Sequence, residues 1–349
     1  MKFSICIPQY NRINFLKQSL DLLEGQNYSD FEVIISDDCS TDSTEEVING
    51  LKTSYSYPIL YHRFKLNQGY DRNLRKSMEM ATGDYCFVLG NDDTLAHNEV
   101  LSQLEHFLKE NDFPDLGFCN YCEFSDASML TRRALSTGII GKGPEIALKN
   151  YSSFSFVAGL IYKKSTFDRF NTDRFDKSIY AQIALALNMI CNNAVLFSID
   201  EAWVRKDITV SSAGEETKSN SYRDFINRKW SDIKPADGGL KSVINVLCTV
   251  LESNNLLTNQ RLNYIFGKIL FNTYPYWVID YKYNKATPAS IGLFLGLQPW
   301  KITHFNKMSF FLRVKYSIGF QVVSIISLLT PSRLFFKFKE QIYTWIKRK

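Results

Sequence analysis

The sequence predicts an α/β fold: a mostly parallel sheet with helices on both faces, followed by a mainly helical C-terminal region. Short apolar, β-branched runs alternate with apolar residues at helical spacing through the first 125 residues. Strands alternating with helices of this length argue for parallel pairing beneath helical layers. Three of the runs also end abruptly in polar clusters, and in open α/β sheets ligands bind outside the carboxyl ends of the strands.

The elements follow in order. "FSICIP" (3–8) is a first strand, and it reads as a strand rather than a leader because Pro8 and polar residues cut the apolar run short. Ile13, Leu16, Leu20 and Leu23 recur at helical spacing. "FEVIIS" (31–36) is a second strand that ends in the turn and cap residues "DDCSTDST". "ILYHRF" (59–64) reads as a third strand, with a helix after it to about Ala81, and "GDYCFVLGNDD" as a fourth. A helix over 97–109, the strand "LGFCNYCEF" (116–124), a strand entering a helix at "FVAGLIYKKSTF" (156–167) and an apolar helix at 179–190 come next. Residues 219–300 read as mainly helical, and "SSAGEETKSNS" marks a boundary near 215.

Composition narrows the function. A hydrophobic content of 45%, with 14% aromatic residues, excludes a mainly disordered chain. The net charge of +5 conceals a division: residues 301–349 hold ten Lys/Arg and one acid, and the rest of the chain is net acidic. A nucleic-acid partner would place positive charge on the folded body, so none is expected. The seven cysteines are an odd number spread mostly through apolar runs, which suits a reducing cytosol. Cys119 and Cys122 form a CxxC without the second pair or the spaced histidines of a zinc site, and they read as strand residues.

Asp92 and Asp93 are the pair to explain. They could form a solvated turn that caps the helix after Thr94. Against that, two adjacent anions repel, and Mg²⁺ or Mn²⁺ takes one or two carboxylates and fills its other sites with water and phosphate oxygens. Such a metal would stabilise a departing nucleoside diphosphate as a Lewis acid. Asp37 and Asp38 could belong to a helix start before Glu45, with Ser40 or Thr41 as cap. That cap does not need Asp38, whose carboxylate could accept the N3–H of a uracil or thymine ring while Tyr10 stacks on the base.

With these residues in view, "ICIPQYNRINFLKQSLDLLEGQNYSDFEVIISDDCSTDST", "NQGYDRNLRKSMEMATGDYCFVLGNDD" and their spacing resemble the N-terminal half of a family 2 inverting glycosyltransferase of the GT-A (Rossmann-like) fold. The resemblance covers about residues 2–125, and "NQGYDRN" with "GNDD" is similar to O-antigen sugar transferases of the abequosyltransferase type. It implies a glycosyltransferase domain over 1–215, with a nucleotide-binding half (1–125) and an acceptor-side half (126–215), and a helical region over 216–349. Pro8, Tyr10, Asn11 and Arg12 match the first nucleotide-contacting segment, Asp38 beside Asp37 matches the base-recognising carboxylate, and Asn67, Gly69, Arg72 and Asn73 match the segment near ribose and diphosphate. Asp92 and Asp93 match the metal–diphosphate motif, with Asp93 the direct ligand of Mn²⁺ or Mg²⁺.

Three positions depart from the family pattern. Cys39 stands where a Gly is usual, and Gln9 where Thr or Ser is common. The Glu-Asp pair that supplies the catalytic base is missing: its helix begins "DKSIYAQIALAL", with Tyr180 or nearby residues in its place. Asp176 is then the expected base and Asp173 the next, since a base must lie within hydrogen-bond reach of the acceptor hydroxyl. "NRKW", ending at Trp230, resembles part of the QxxRW signature of processive synthases but lacks the Gln, and Trp230 is expected to pack in a helix.

The tail suggests a membrane surface. Residues 316–332 are uncharged, and as a helix they reach about 26 Å, short of a ~30 Å hydrocarbon core. Beyond them Phe335, Phe338, Ile342, Trp345 and Ile346 share one helical face, with Arg333, Lys337, Glu340 and Lys347 on the other. That pattern suits an interfacial helix on an anionic bilayer; a helix packed on the body is the alternative.

The expected protein is a metal-dependent inverting transferase at the cytoplasmic face of the plasma membrane. It would move one sugar from a nucleoside-diphosphate donor to a lipid-linked saccharide. A nucleotide-sugar-binding protein that has lost catalysis is the alternative favoured by the missing Glu-Asp pair. A sugar-1-phosphate nucleotidyltransferase would want a glycine-rich basic loop after the first strand, and "PQYNRINF" has none.

Overall fold

The computed structural model describes residues 1–212, 215–218, 233–338 and 341. It divides into two compact units, Met1–Ser219 and Asn220–Lys349.

The first unit opens with β1 (Phe3–Gln9), α1 (Ile13–Leu23), β2 (Phe31–Asp37), α2 (Thr44–Leu51), β3 (Ile59–Arg63), α3 (Tyr70–Glu79) and β4 (Tyr85–Val88). It continues with β5 (Thr94–Leu95), α4 (Val100–Glu110), β6 (Leu116–Glu123), β7 (Leu130–Thr131), β8 (Gly138–Gly141) and α5 (Pro144–Asn150). The last elements are β9 (Leu160–Lys163), α6 (Lys164–Phe170), α7 (Ala181–Cys191), β10 (Leu196–Lys206), and a hairpin of β11 (Thr209–Ser212) and β12 (Glu215–Lys218).

One sheet runs in the order β3-β2-β1-β4-β9-β6-β10-β5. The first four strands are parallel, and β1 lies between β2 and β4. Strand residues alternate between two covered faces. Ile5, Ile7, Val33, Ile35, Phe87 and Leu89 join a core with Leu16 and Leu20 of α1 and Leu101 and Leu104 of α4. The intervening Ser4, Cys6, Ile34, Cys86 and Val88 are also buried, and α3 packs on β1 and β2. Burying each large apolar side chain contributes about 1.5–3 kcal/mol. Double coverage explains why these strands read as continuous apolar runs.

Beyond β4 the sheet is mixed. β9 lies antiparallel between β4 and β6, and β10 pairs parallel with β6. Periodicity marks β9 as a strand but carries no information on its direction. Two capping readings also change. Asp92 and Asp93 are followed by β5, and the next helix starts only at Val100. The α2 N-cap is Ser43, and Asp42 accepts from the Thr44 amide at 3.1 Å. All described cysteines are free, and Cys119 and Cys122 are buried in β6.

The second unit is helical where described, with helices at Leu240–Ser253, Asn259–Gly267, Tyr274–Tyr283, Thr287–Gly296, Phe310–Leu329 and Ser332–Lys337. The uncharged stretch expected over 316–332 lies in the fifth of these up to Leu329, passes through Thr330 and Pro331, and ends at Ser332, the first residue of the sixth. Trp230 lies outside the described residues, as do Glu340, Ile342, Trp345, Ile346 and Lys347 of the expected tail helix.

Candidate functional site

Parallel register brings the three polar clusters to one edge. Gln9 pairs with Asp37, and the ladder continues through the Asp38 amide to the Gln9 carbonyl (3.0 Å) and the Leu89 amide to the Cys6 carbonyl (3.0 Å). The segments 8–12, 37–42 and 90–93 therefore start side by side, each at the carboxyl end of its strand.

Gln9 ties this edge together, a role that sequence reasoning missed. It is fully buried; its Nε2 donates to Thr44 Oγ1 (2.9 Å), and its Oε1 accepts from Asn91 Nδ2 (2.7 Å). Its carbonyl also accepts from Asn73 Nδ2 (3.0 Å). A long amide buried at a strand end must find such partners, and that was the available signal. Pro8 is half-buried beside it, and Tyr10 is 46% exposed, open for stacking. Asn11 has φ 50° and its Oδ1 accepts from the Thr41 amide (2.7 Å), closing the first cluster on the second.

The two second-strand carboxylates differ. Asp37 is fully buried and accepts from the Ser40 amide (2.9 Å), Ser40 Oγ (2.5 Å) and Tyr61 Oη (2.6 Å), so it serves the fold. Asp38 accepts from the amides of Gln68 (2.6 Å) and Gly69 (2.9 Å), one on each oxygen. It thus holds the Asn67–Gly69 turn at the edge, and Asn67 Nδ2 donates back to its carbonyl (3.2 Å). A carboxylate has about four acceptor positions, and the turn fills two. Gly69 sits at φ 86°, where a side chain would be strained. Cys39 occupies the left-handed region as well, at φ 64°, a conformation that favours glycine.

Arg72 and Asn73 on α3 part ways. Arg72 Nη1 is bound by both oxygens of Glu79 at 2.8 Å and lies over the Phe64 ring, engaged with its own helix. Asn73 is buried, and its Oδ1 has no hydrogen-bond partner among the described residues.

At the β4 tip, Asp93 is buried and Asp92 half-buried. Asp93 accepts from the amides of Gly90 and Asp207, each at 3.2 Å. Burial, reinforced by Asp92 and Asp207, pushes the Asp93 carboxyl well above the usual carboxylate range. A Cβ on Gly90 would lie 2.4 Å from Asp93 Oδ2, so a larger residue there would displace the Asp93 carboxylate. Asp92 Oδ2 pairs with Arg12 Nη1 at 2.5 Å, and the Ile208 amide holds its carbonyl (2.7 Å). Asp92 is therefore the more accessible of the two, whereas the sequence singled out Asp93 as the direct ligand. The contribution of 207–208 was not readable from the sequence. Among the described residues no three His, Cys, Asp or Glu side chains converge on a metal site. The two carboxylates still suit a cation that takes one or two protein ligands and draws the rest from phosphate and water.

The expected base is placed differently. Asp176 is gripped by Arg75 at both oxygens (Nε 2.9 Å, Nη2 2.7 Å), and Arg75 is 6% exposed. Each oxygen of Asp176 accepts one hydrogen bond from this buried guanidinium, and the pair anchors the segment before α7 to α3. Asp173 is exposed. Asp71 caps α7 by accepting from the Ile179 (2.7 Å) and Ala181 (3.1 Å) amides, with Ile179 held at φ 62°.

Residues 4–167 match the model of glycosyl transferase family 2. Abequosyltransferase RfbV of Salmonella typhimurium is 34% identical over 189 residues, covering 50% of this chain and 56% of the relative. GalNAc(5)-diNAcBac-PP-undecaprenol beta-1,3-glucosyltransferase of Campylobacter jejuni is 25% identical over 185 residues, covering 52% and 57%. The matches thus span about half the length of these curated relatives. Among solved structures, S. aureus TarS 1–349 in complex with UDP superposes with a TM-score of 0.53 at 15% identity, over 94% of this chain and 89% of that one. Mannosyltransferase PcManGT from Pyrobaculum calidifontis, in complex with GDP-Man and Mn²⁺, gives 0.51 at 11% identity, over 94% and 87%. The fold is GT-A.

Proposed function

From the premise that residues 4–167 are a family 2 glycosyl transferase domain, we propose that the protein transfers one sugar, with inversion, from a nucleoside-diphosphate donor to a hydroxyl of a lipid-linked saccharide. The observation that carries this reading is the meeting of three polar clusters at one sheet edge, with an acid pair in one and a cation, Arg12, in another.

The base would stack on Tyr10, with Asp38 offering its remaining acceptor positions to the ring N3–H. The diphosphate would draw Arg12 from Asp92, since a guanidinium binds phosphate in the same two-pronged manner as carboxylate. Asp92 and Asp93 would hold a Mn²⁺ or Mg²⁺ ion, whose chemistry is to neutralise charge on the leaving diphosphate. Asp93, whose carboxyl is raised by burial and by Asp92, would be ionised in that state. Proton removal from the acceptor would fall to the exposed Asp173 ahead of Asp176, whose carboxylate is held by Arg75.

The relatives' printed names include a polyprenyl-linked saccharide, and this supports a lipid-linked acceptor and a peripheral place at the cytoplasmic leaflet. The test is incubation with a panel of nucleotide sugars and a polyprenyl-diphosphate disaccharide, followed by product mass and anomeric configuration. Extension of the lipid by one sugar is expected. A second reading, a nucleotide-sugar binder without catalysis, is favoured by the occupied Asp176. Tight donor binding with neither transfer nor hydrolysis would establish it.

A further inference from the structure

Helix Phe310–Leu329 carries an uncovered apolar stripe along its whole length. Phe311, Val314, Ile318, Val322, Ile325 and Leu329 are exposed and follow one another at steps of three or four, which aligns them on one face. The ends are the most open, Phe311 at 82% and Leu329 at 76%.

The opposite face is fastened to the helical unit. Tyr316, Phe320, Ser324 and Ser327 are buried; Tyr316 Oη donates to the Asn263 carbonyl (2.6 Å), and Tyr274 Oη donates to Ser324 Oγ (2.9 Å). At the C-terminal end Lys282 Nζ donates to the carbonyls of Ser327 (3.2 Å), Leu328 (2.6 Å) and Thr330 (2.7 Å). A helix fixed in this way cannot cross a bilayer without carrying Lys282 and the packed neighbours with it. An apolar face on one side only belongs in the plane of an interface.

Charge selects the occupant. Residues 301–338 contain Lys301, Lys307, Arg313, Lys315, Arg333 and Lys337 and no acid. Among the described residues only Lys307 of these pairs with a carboxylate, that of Glu252. Two copies of this face would bring like charges together, whereas an anionic lipid surface complements them.

We propose that helix Phe310–Leu329 docks lengthwise on an anionic membrane surface, with the stripe from Phe311 to Leu329 entering the headgroup–acyl boundary. This sharpens the peripheral-membrane part of the functional reading and is independent of the donor chemistry.

Flotation of the full chain with vesicles tests it. Vesicles of phosphatidylcholine with about 30% phosphatidylglycerol should carry the protein at least tenfold better than phosphatidylcholine alone, because each basic residue near an anionic surface adds attraction. High salt should weaken the association without abolishing it, since inserted apolar side chains are not screened. Alkaline carbonate should release the protein. Ile318→Glu/Ile325→Glu should lower flotation at least tenfold while circular dichroism and donor binding stay at the wild-type level. Retained flotation in that variant, or resistance to carbonate, would overturn the proposal. So would a lipid-free dimer that the variant converts to monomer, because a second copy would then cover the stripe. If flotation behaves as expected but no nucleotide sugar binds, the functional reading fails and the docking surface stands.

Discussion

Two aspartate–guanidinium pairs in the first unit invite comparison. Arg12 and Asp92 join the tips of β1 and β4 through a 2.5 Å contact, with the Arg12 side chain 32% exposed. Arg75 and Asp176 join α3 to the segment before α7 through two contacts, with the Arg75 side chain 7% exposed, and Arg75 Nη1 also donates to Glu79 (3.0 Å) and Asn171 (2.9 Å). The chemistry is the same in both, but the surroundings differ. A half-exposed pair at a sheet edge can open for an incoming phosphate at low cost, whereas a buried guanidinium with four hydrogen bonds works as a clamp. The donor side is thus built to exchange partners, and the 171–181 segment is built to keep them.

The comparison breaks most visibly at the clamp. Arg75→Ala should destabilise the protein by about 3–5 kcal/mol, because it strands Asp176 without its buried cation, while Glu79 keeps Arg72; chemical denaturation would show it. Asp176→Asn should cost about 1.5–3 kcal/mol, the worth of a charged hydrogen bond, while the folded fraction keeps its kcat within about twofold. A collapse of kcat in stable protein would return the base to Asp176. Arg12→Ala should cost less than about 1 kcal/mol of stability yet weaken donor affinity about tenfold, or ~1.4 kcal/mol, by calorimetry. The smallest effect is expected at Cys39, whose φ of 64° strains any side chain. Cys39→Gly should gain about 1 kcal/mol or less, offset by added unfolded-state entropy, and shift the melting temperature upward.

Legibility followed sequence distance and periodicity. β1, β2 and β4 were readable because strands buried on both faces are continuous apolar runs, but their order in the sheet was not. Asp92 and Asp93 were readable because adjacent carboxylates at a strand end conflict with a buried environment unless something offsets them. The Arg75–Asp176 contact was not readable, because its partners stand 101 residues apart and neither belongs to a pattern. β9 was recognisable as a strand, but a run of four residues holds nothing that sets its direction. The stripe on Phe310–Leu329 was read only as a weak apolar stretch over 316–332. Phe311 and Val314 lie upstream of that window, and only the packing of Tyr316 and Phe320 identifies the outer face.

The central claim is that the sheet edge at the tips of β1, β2 and β4 binds a nucleoside diphosphate together with a divalent cation. Calorimetric titration of UDP and GDP, with and without Mn²⁺, into the wild-type protein and into Asp92→Ala and Asp93→Ala tests it most directly. The account predicts binding of at least one diphosphate that requires Mn²⁺ and is lost in both variants, with circular dichroism unchanged. Diphosphate affinity equal in all three proteins and indifferent to Mn²⁺ would contradict it.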